Sequence, residues 1–314
     1  MKKWGLRTPR MFEGMSLAAF KPKTGMVILI ALAIYIAYSK LTVVGLVIYG
    51  LLCWLGGSYH SVIDMLNSML TSQGVVIFSL FITSVLTALT LIYLGFIEKR
   101  SLVTAGVSRG RILRRYGAGF GLGAFMLLLC YVLPLVAETP AYRGLSALIP
   151  VYLLGFVIQS SSEEIFFRGF LMTGVAKRTG IFFAVLISSA FFSLAHALNG
   201  GYSLLGGIYY LLIGAFLALL MLRTNSIWAS CGFHAAWNFT IGLLAPINIG
   251  GLVIDYAIFD VGEVTDDAAY SIIGDPYYLI LIALFLIGAA MLLFVGRNRL
   301  AARVSPPQPY VKEV

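Results

Sequence analysis

The chain alternates long apolar runs with short clusters of charge. Runs free of Asp, Glu, Lys and Arg extend over Met65 to Ile97, Tyr116 to Ala137, Gly144 to Ser162, Thr179 to Leu222, Thr224 to Ile254 and Pro276 to Gly296. A hydrocarbon core of about 30 Å takes about 20 helical residues, so each run is long enough to cross it. Thr179 to Leu222 is long enough for two crossings, and Asn199-Gly200-Gly201 near its middle is a turn signal. The first apolar region, Thr24 to Gly57, is interrupted by Lys40 and fits either one long helix or a short hairpin.

Charge placement decides between those two. Lys and Arg concentrate in cytoplasmic loops, and here they cluster before residue 24, between Lys99 and Arg115, at Lys177-Arg178, at Arg223 and after residue 296. Putting all these clusters inside requires an even number of crossings between residues 24 and 98, so Thr24 to Gly57 counts once. Nineteen of the 22 basic residues then lie inside. The stretch from Asn248 to Asp275 holds six acidic residues and no basic one, as suits an outside loop. The expectation is an all-α polytopic membrane protein with about eight transmembrane helices, near 25–56, 75–97, 117–137, 147–178, 181–198, 203–222, 226–247 and 277–296, and both termini cytoplasmic.

Composition agrees. A chain of 314 residues that is 60% hydrophobic and 11% charged, with mean hydropathy +0.94, is no ordinary soluble domain. The net charge of +9 follows the topology, which favours anionic lipid head groups over nucleic acid as partner. Cys53, Cys130 and Cys231 sit in apolar segments without metal-ligand spacing and read as packing residues. The N-terminal basic region is too long for a cleavable signal, and no small-residue cleavage site follows the apolar stretch after it. Five segments result: a cytoplasmic tail at 1–24, three helices within 25–140, a core of four helices within 141–247, an acidic outer loop at 248–276, and a last helix with its tail at 277–314. No repeat of known period is present.

One segment departs from this apolar pattern. Ser161-Ser162-Glu163-Glu164-Ile165-Phe166-Phe167-Arg168 puts two carboxylates and a guanidinium inside a membrane-length segment, where ionisable groups are costly and mark function. Phe192-Ser193-Leu194-Ala195-His196 and His234-Ala235-Ala236-Trp237-Asn238 add two of the three histidines, each in a charge-free stretch. Glu163 and His196 each lie sixteen residues from a turn near Thr179-Gly180. In an antiparallel hairpin both then reach the same level, roughly 24 Å from the turn, and can face one another. His234 and Asn238 share a helical face, as do Glu164 and Arg168 in the order that pairs well. Glu163 is turned about 100° from Glu164, so one carboxylate is structural and the other free to react.

These residues also have plainer readings: an intrahelical ion pair for Glu164 with Arg168, interhelical hydrogen bonds for the histidines, packing for Phe166, Phe167, Phe191 and Phe192, an interfacial position for His60. Gly206-Gly207 and Gly214 let helices approach closely.

The order Glu-Glu-x-x-x-Arg, Phe-x-x-x-His, His-x-x-x-Asn on successive apolar helices resembles the CPBP family, the CAAX proteases and bacteriocin-processing enzymes also called the Abi family. The resemblance covers roughly Ile149 to Ile241. It assigns Glu163, Glu164 and Arg168 to the first motif, His196 to the second, and His234 with Asn238 to the third. What it implies is proteolysis within the membrane, of a peptide or protein that is membrane-anchored or lipid-modified.

Two mechanisms fit these residues. Burial strengthens a carboxylate as a base; Glu163 with His196 would activate water, His234 and Asn238 would donate to the oxyanion, and Glu164 with Arg168 would hold the helix. Alternatively Glu163, His196 and His234 would ligate a catalytic Zn2+ with an open position for water, although no His-Glu-x-x-His helix is present. A proton-coupled transporter using the same groups as a relay, and a non-catalytic scaffold or self-immunity protein of the same fold, are the other classes. An integral membrane location, in a bacterial or archaeal cell membrane or a eukaryotic endomembrane, is common to all of them.

Overall fold

The computed structural model describes residues 22–58, 60–61, 63–65, 72–138, 141–197, 202–244, 247–249, 252–254, 256–260 and 277–294. Eight long helices are present among them. They are α1 (Thr24–Leu55), α2 (Gln73–Ile97), α3 (Ile112–Glu138), α4 (Ile149–Glu164, continued through a π-helical Ile165–Met172 into Thr173–Thr179), α5 (Ile181–His196), α6 (Leu204–Thr224), α7 (Trp228–Leu244) and α8 (Tyr277–Phe294). The protein is a polytopic helical membrane protein, as the apolar runs predict. By length and composition five stretches can cross a membrane, among them the 48 residues of Ile149–His196. Gly180 divides that stretch: its φ of 81° and ψ of 167° belong to a backbone region that only glycine adopts freely. The chain reverses there, and α5 packs back along α4.

Lipid is as apolar as a leucine side chain, so close packing rather than removal of area from water must hold these helices together. The tightest approach is between α3 and α7. A Cβ on Gly232 would collide with the carbonyl oxygen of Tyr116, and one on Gly119 with that of Ala229. Backbone lies on backbone, which fixes the depth and rotation of α7. On the other side of α7, Phe216, Phe233, Trp237 and Phe285 form a buried aromatic cluster with α6 and α8. The Trp237 indole N–H donates to the Tyr209 hydroxyl at 2.7 Å, satisfying its polar edge within that cluster. By contrast α1 buries only Val27, Ala31 and Gly50 and turns Leu29, Val43, Leu52 and Leu55 outward, a surface suited to acyl chains.

The π-helical turn in α4 widens the helix and leaves its carbonyls poorly served by the ordinary ladder. Side chains from elsewhere serve them. Ser188 on α5 donates to the Phe167 carbonyl at 2.9 Å, and the Gly169 carbonyl accepts from Arg100 Nη2 at 3.2 Å and from the Thr173 hydroxyl. Arg100 belongs to the connection between α2 and α3 and is itself buried with Glu98, 3.0 Å away.

Two features add to the predicted architecture. Short antiparallel pairs join β1 (Ala141–Tyr142) to β4 (Phe259–Asp260) and β2 (Ile247–Ile249) to β3 (Leu252–Ile254). The predicted seventh helix, 226–247, is Trp228–Leu244, and Ile247 belongs to a strand. Tyr256 ties this region down by stacking on Tyr152, with ring centroids 4.4 Å apart, and donating to the Phe239 carbonyl. The remainder of the acidic loop, 261–276, and the tails at 1–21 and 295–314, with their predicted sides of the membrane, lie outside the described residues.

Candidate active site

Three helices supply the site. Glu163 and Glu164 end the α-helical part of α4, Arg168 lies in its π-helical turn, His196 closes α5, and His234 and Asn238 lie on α7. The two adjacent carboxylates occupy different surroundings. Glu164 and Arg168 are completely buried, and Glu164 Oε1 accepts from Arg168 Nη1 at 2.8 Å and from His234 Nδ1 at 3.0 Å. Arg168 Nη2 also donates to the Gly214 carbonyl at 3.1 Å, tying α4 to α6. A Cβ at Gly214 would crowd Ser189 and that guanidinium, so the closeness of α5 and α6 here needs the missing side chain. The guanidinium also rests on the Phe192 ring, 4.4 Å from its centroid. Charge, hydrogen bonds and ring face together offset the cost of burying this ion pair.

Glu163 is different. Its side chain keeps 18% of its accessible surface, against 0% for Glu164. Its Oε1 accepts from the Gln159 amide, while its Oε2 has no hydrogen-bond partner among the described residues. That oxygen is 3.8 Å from His234 Nε2. With Nδ1 committed to Glu164, Nε2 is the ring nitrogen left facing Glu163. Asn238 Nδ2 donates to Gln159 Oε1 at 3.1 Å, so Asn238 reaches Glu163 through Gln159.

His196 is half-buried and lies within electrostatic reach of Glu163, Arg168 and His234. Its Nδ1 bonds the Phe192 carbonyl at 2.8 Å, and its ring stacks on Tyr210 with centroids 4.2 Å apart. Among the described residues no hydrogen bond joins it to Glu163. Phe192 sits between the groups, touching Arg168, His196 and His234 at once. Gln159, Glu163, His196 and Asn238 all retain partial exposure, whereas Glu164, Arg168 and His234 are buried beneath them.

A zinc ion held by protein alone would need Glu163, His196 and His234 to converge. Among the described residues no three His, Cys, Asp or Glu side chains come together closely enough to hold a metal ion.

This geometry has a counterpart in known sequences. Residues 145–240 match the Rce1-like family, type II CAAX prenyl endopeptidases. The match runs from just before α4 into α7 and so contains every residue of the three motifs, in agreement with the CPBP resemblance. Over 86 residues the chain is also 38% identical to the uncharacterized protein YyaK of Bacillus subtilis (strain 168). That alignment takes in 26% of this chain and 28% of YyaK, so the chain spans little more than a quarter of that relative's length.

Within the matched segment the motifs leave out several residues of the site. Gln159 is four residues before Glu163, on the same helical face, and a lone amide in an apolar run is its signal. Phe192 stands in the Phe-x-x-x-His motif, but its spacing does not show that its ring meets Arg168 and His234. Tyr210 gives no signal, because nothing in an aromatic-rich helix marks the ring that meets His196. Outside the segment, Tyr35 and Tyr38 of α1 are half-buried and within electrostatic reach of Glu163; Tyr35 packs on Phe166 and Phe167.

Proposed function

We propose that the chain is an intramembrane endopeptidase of the CAAX prenyl protease type, hydrolysing a peptide bond near the end of a membrane-anchored, lipid-modified substrate. The observation that carries this reading is the division of labour between the two carboxylates. Glu164 is fully buried with its Oε1 taken by Arg168 and His234, while the Glu163 side chain reaches a partly exposed face at the meeting of three helices, held by Gln159 at Oε1 and facing His234 Nε2 with Oε2.

The chemistry follows from that arrangement. A water bound at Glu163 Oε2 gives up a proton to the carboxylate as its oxygen adds to the scissile carbonyl carbon. Negative charge develops on the carbonyl oxygen, where the second N–H of Asn238 is the donor to hand, joined by His234 Nε2 when the ring carries a proton on both nitrogens. Glu164 holds the His234 ring by its other nitrogen, the role a buried carboxylate plays toward an imidazole in hydrolytic triads. His196, braced by Phe192 and Tyr210, orients the water. When the C–N bond breaks, the proton on Glu163 passes to the leaving amine and the carboxylate is restored. A wall of membrane helices presents the substrate's lipid and peptide from the same side, converting an encounter in three dimensions into positioning at one depth.

The test is mass spectrometry of membrane proteins from cells carrying the wild-type chain or Glu163→Gln. Precursors that keep their C-terminal residues only in the variant support the reading. Identical C-termini in both would contradict it.

A further inference from the structure

Gln159 is absent from the motifs but holds the centre of the network. Its Oε1 accepts from Asn238 Nδ2 and from the Ser160 hydroxyl, both at 3.1 Å, and its Nε2 donates to Glu163 Oε1. The amide cannot be turned over. A flipped group would set its carbonyl against the Glu163 carboxylate, acceptor against acceptor, whereas the Ser160 hydroxyl and the Asn238 amide can each offer a donor or an acceptor. The carboxylate therefore dictates that an N–H faces it, and the Gln159 oxygen is left to accept from Asn238 and Ser160.

The two oxygens of Glu163 are made unequal as a result. Oε1 is capped by a donor, and an oxygen facing a fixed N–H has no room for a proton of its own. Oε2, which has no hydrogen-bond partner among the described residues and lies 3.8 Å from His234 Nε2, is left as the oxygen that takes and returns the proton. We infer that Gln159 is a positioning residue that selects the reactive oxygen of Glu163 and makes Asn238 act on the carboxylate through its amide. This rests on the reading of Glu163 as the base.

Other charged and titratable groups face the same carboxylate and are common to every variant below: Glu164 and Arg168 on α4, His196 on α5, His234 on α7, and Tyr35 and Tyr38 on α1. The changes must therefore be read against a wild-type pH profile taken in the same detergent.

The experiment uses purified full-length protein and an internally quenched farnesylated peptide ending in Cys-aliphatic-aliphatic-X. Gln159→Leu should lower kcat roughly tenfold to a hundredfold with KM changed by less than about threefold. Its acidic limb should move to higher pH, because the carboxylate has lost a donor that favours its charged form. In Gln159→Glu the new carboxyl reproduces the bond only while protonated, so activity should survive on the acid side of the wild-type optimum and fall early as pH rises. Asn238→Ala combined with Gln159→Leu should cost clearly less than the sum of the two single changes, because the part of the Asn238 effect that runs through Gln159 is already lost while its oxyanion N–H is lost in either background. A folded Gln159→Leu with wild-type kcat and pH profile, or full additivity with Asn238→Ala, would overturn the inference while Glu163→Gln remains inactive. Should Gln159→Leu fail to fold, the Gln159→Glu profile decides, an unshifted one counting against the inference. Activity retained by Glu163→Gln would instead bring down the reading on which it rests.

Discussion

Glu164 and His234, seventy residues apart in the chain, are joined by a 3.0 Å contact between Oε1 and Nδ1, and the same oxygen takes Arg168 Nη1. The carboxylate thus sets the ring plane of a histidine on one helix and neutralises a buried guanidinium on its own. Glu164→Gln should act on both. Left without its anion, buried Arg168 should cost about 3–5 kcal/mol of stability, seen as a lowered melting temperature in detergent. Peptidase activity should fall about a hundredfold or more as His234 loses its orienting partner. Glu164→Leu combined with Arg168→Met should recover much of the melting temperature and none of the activity. A double variant as active as wild type would show that the pair is only a helix brace.

Gly232 and Gly119 let α3 and α7 meet backbone to backbone. A methyl group at Gly232 has nowhere to go, since the Tyr116 carbonyl cannot swing aside as a flexible side chain can. Gly232→Ala should therefore destabilise by about 1–3 kcal/mol, and by displacing α7 it should cut activity more than a change of equal stability far from the site. Melting temperature and kcat measured on the same preparation check this, with Gly95→Ala as a control where a Cβ would meet open space.

Arg100 reaches from the connection between α2 and α3 to the Gly169 carbonyl in the π-helical turn, and is paired with buried Glu98. Burial pushes the Glu98 carboxyl up from its ordinary value while Arg100 opposes that rise; burial pushes the Arg100 guanidinium down. Arg100→Leu should destabilise by about 3–5 kcal/mol at neutral pH, because an uncompensated buried carboxylate remains. The sign with pH follows from the direction of the shift. A carboxyl that holds its proton more tightly in the folded chain contributes stability in full below its unfolded value of about 4.3, and that contribution fades as pH rises through the folded value. The deficit of Arg100→Leu relative to wild type should therefore narrow on acidification. A deficit independent of pH would mean that Glu98 does not feel the loss.

Most of the fold was legible because the bilayer imposes a coarse rule. Charge-free runs of about 20 residues and the alternation of basic clusters located eight helices, and Thr179-Gly180 located the hairpin that sets α5 against α4. The short strands at 141–142, 247–249, 252–254 and 259–260 were not legible, since two or three residues carry no usable period. The π-helical turn at Ile165–Met172 was invisible for a related reason: its apolar pattern is that of any buried helix, and two of the donors that serve its carbonyls, Arg100 and Ser188, are distant in sequence. In the site, Glu164 with Arg168 and His234 with Asn238 were readable from spacing of four. That Asn238 bonds Gln159, and that His196 stacks on Tyr210, depends on rotamers and on the register between helices, which spacing within one helix does not specify.

The central claim is that Glu163 is the base of a peptidase, and one assay addresses it most directly. Purified wild-type protein and Glu163→Gln, shown to melt at similar temperatures, are incubated with the farnesylated Cys-aliphatic-aliphatic-X peptide and the products are weighed. The prediction is release of the three terminal residues by wild type and a fall of about a thousandfold or more in the variant, whose amide cannot accept the water's proton. Equal cleavage by the two proteins would contradict the account.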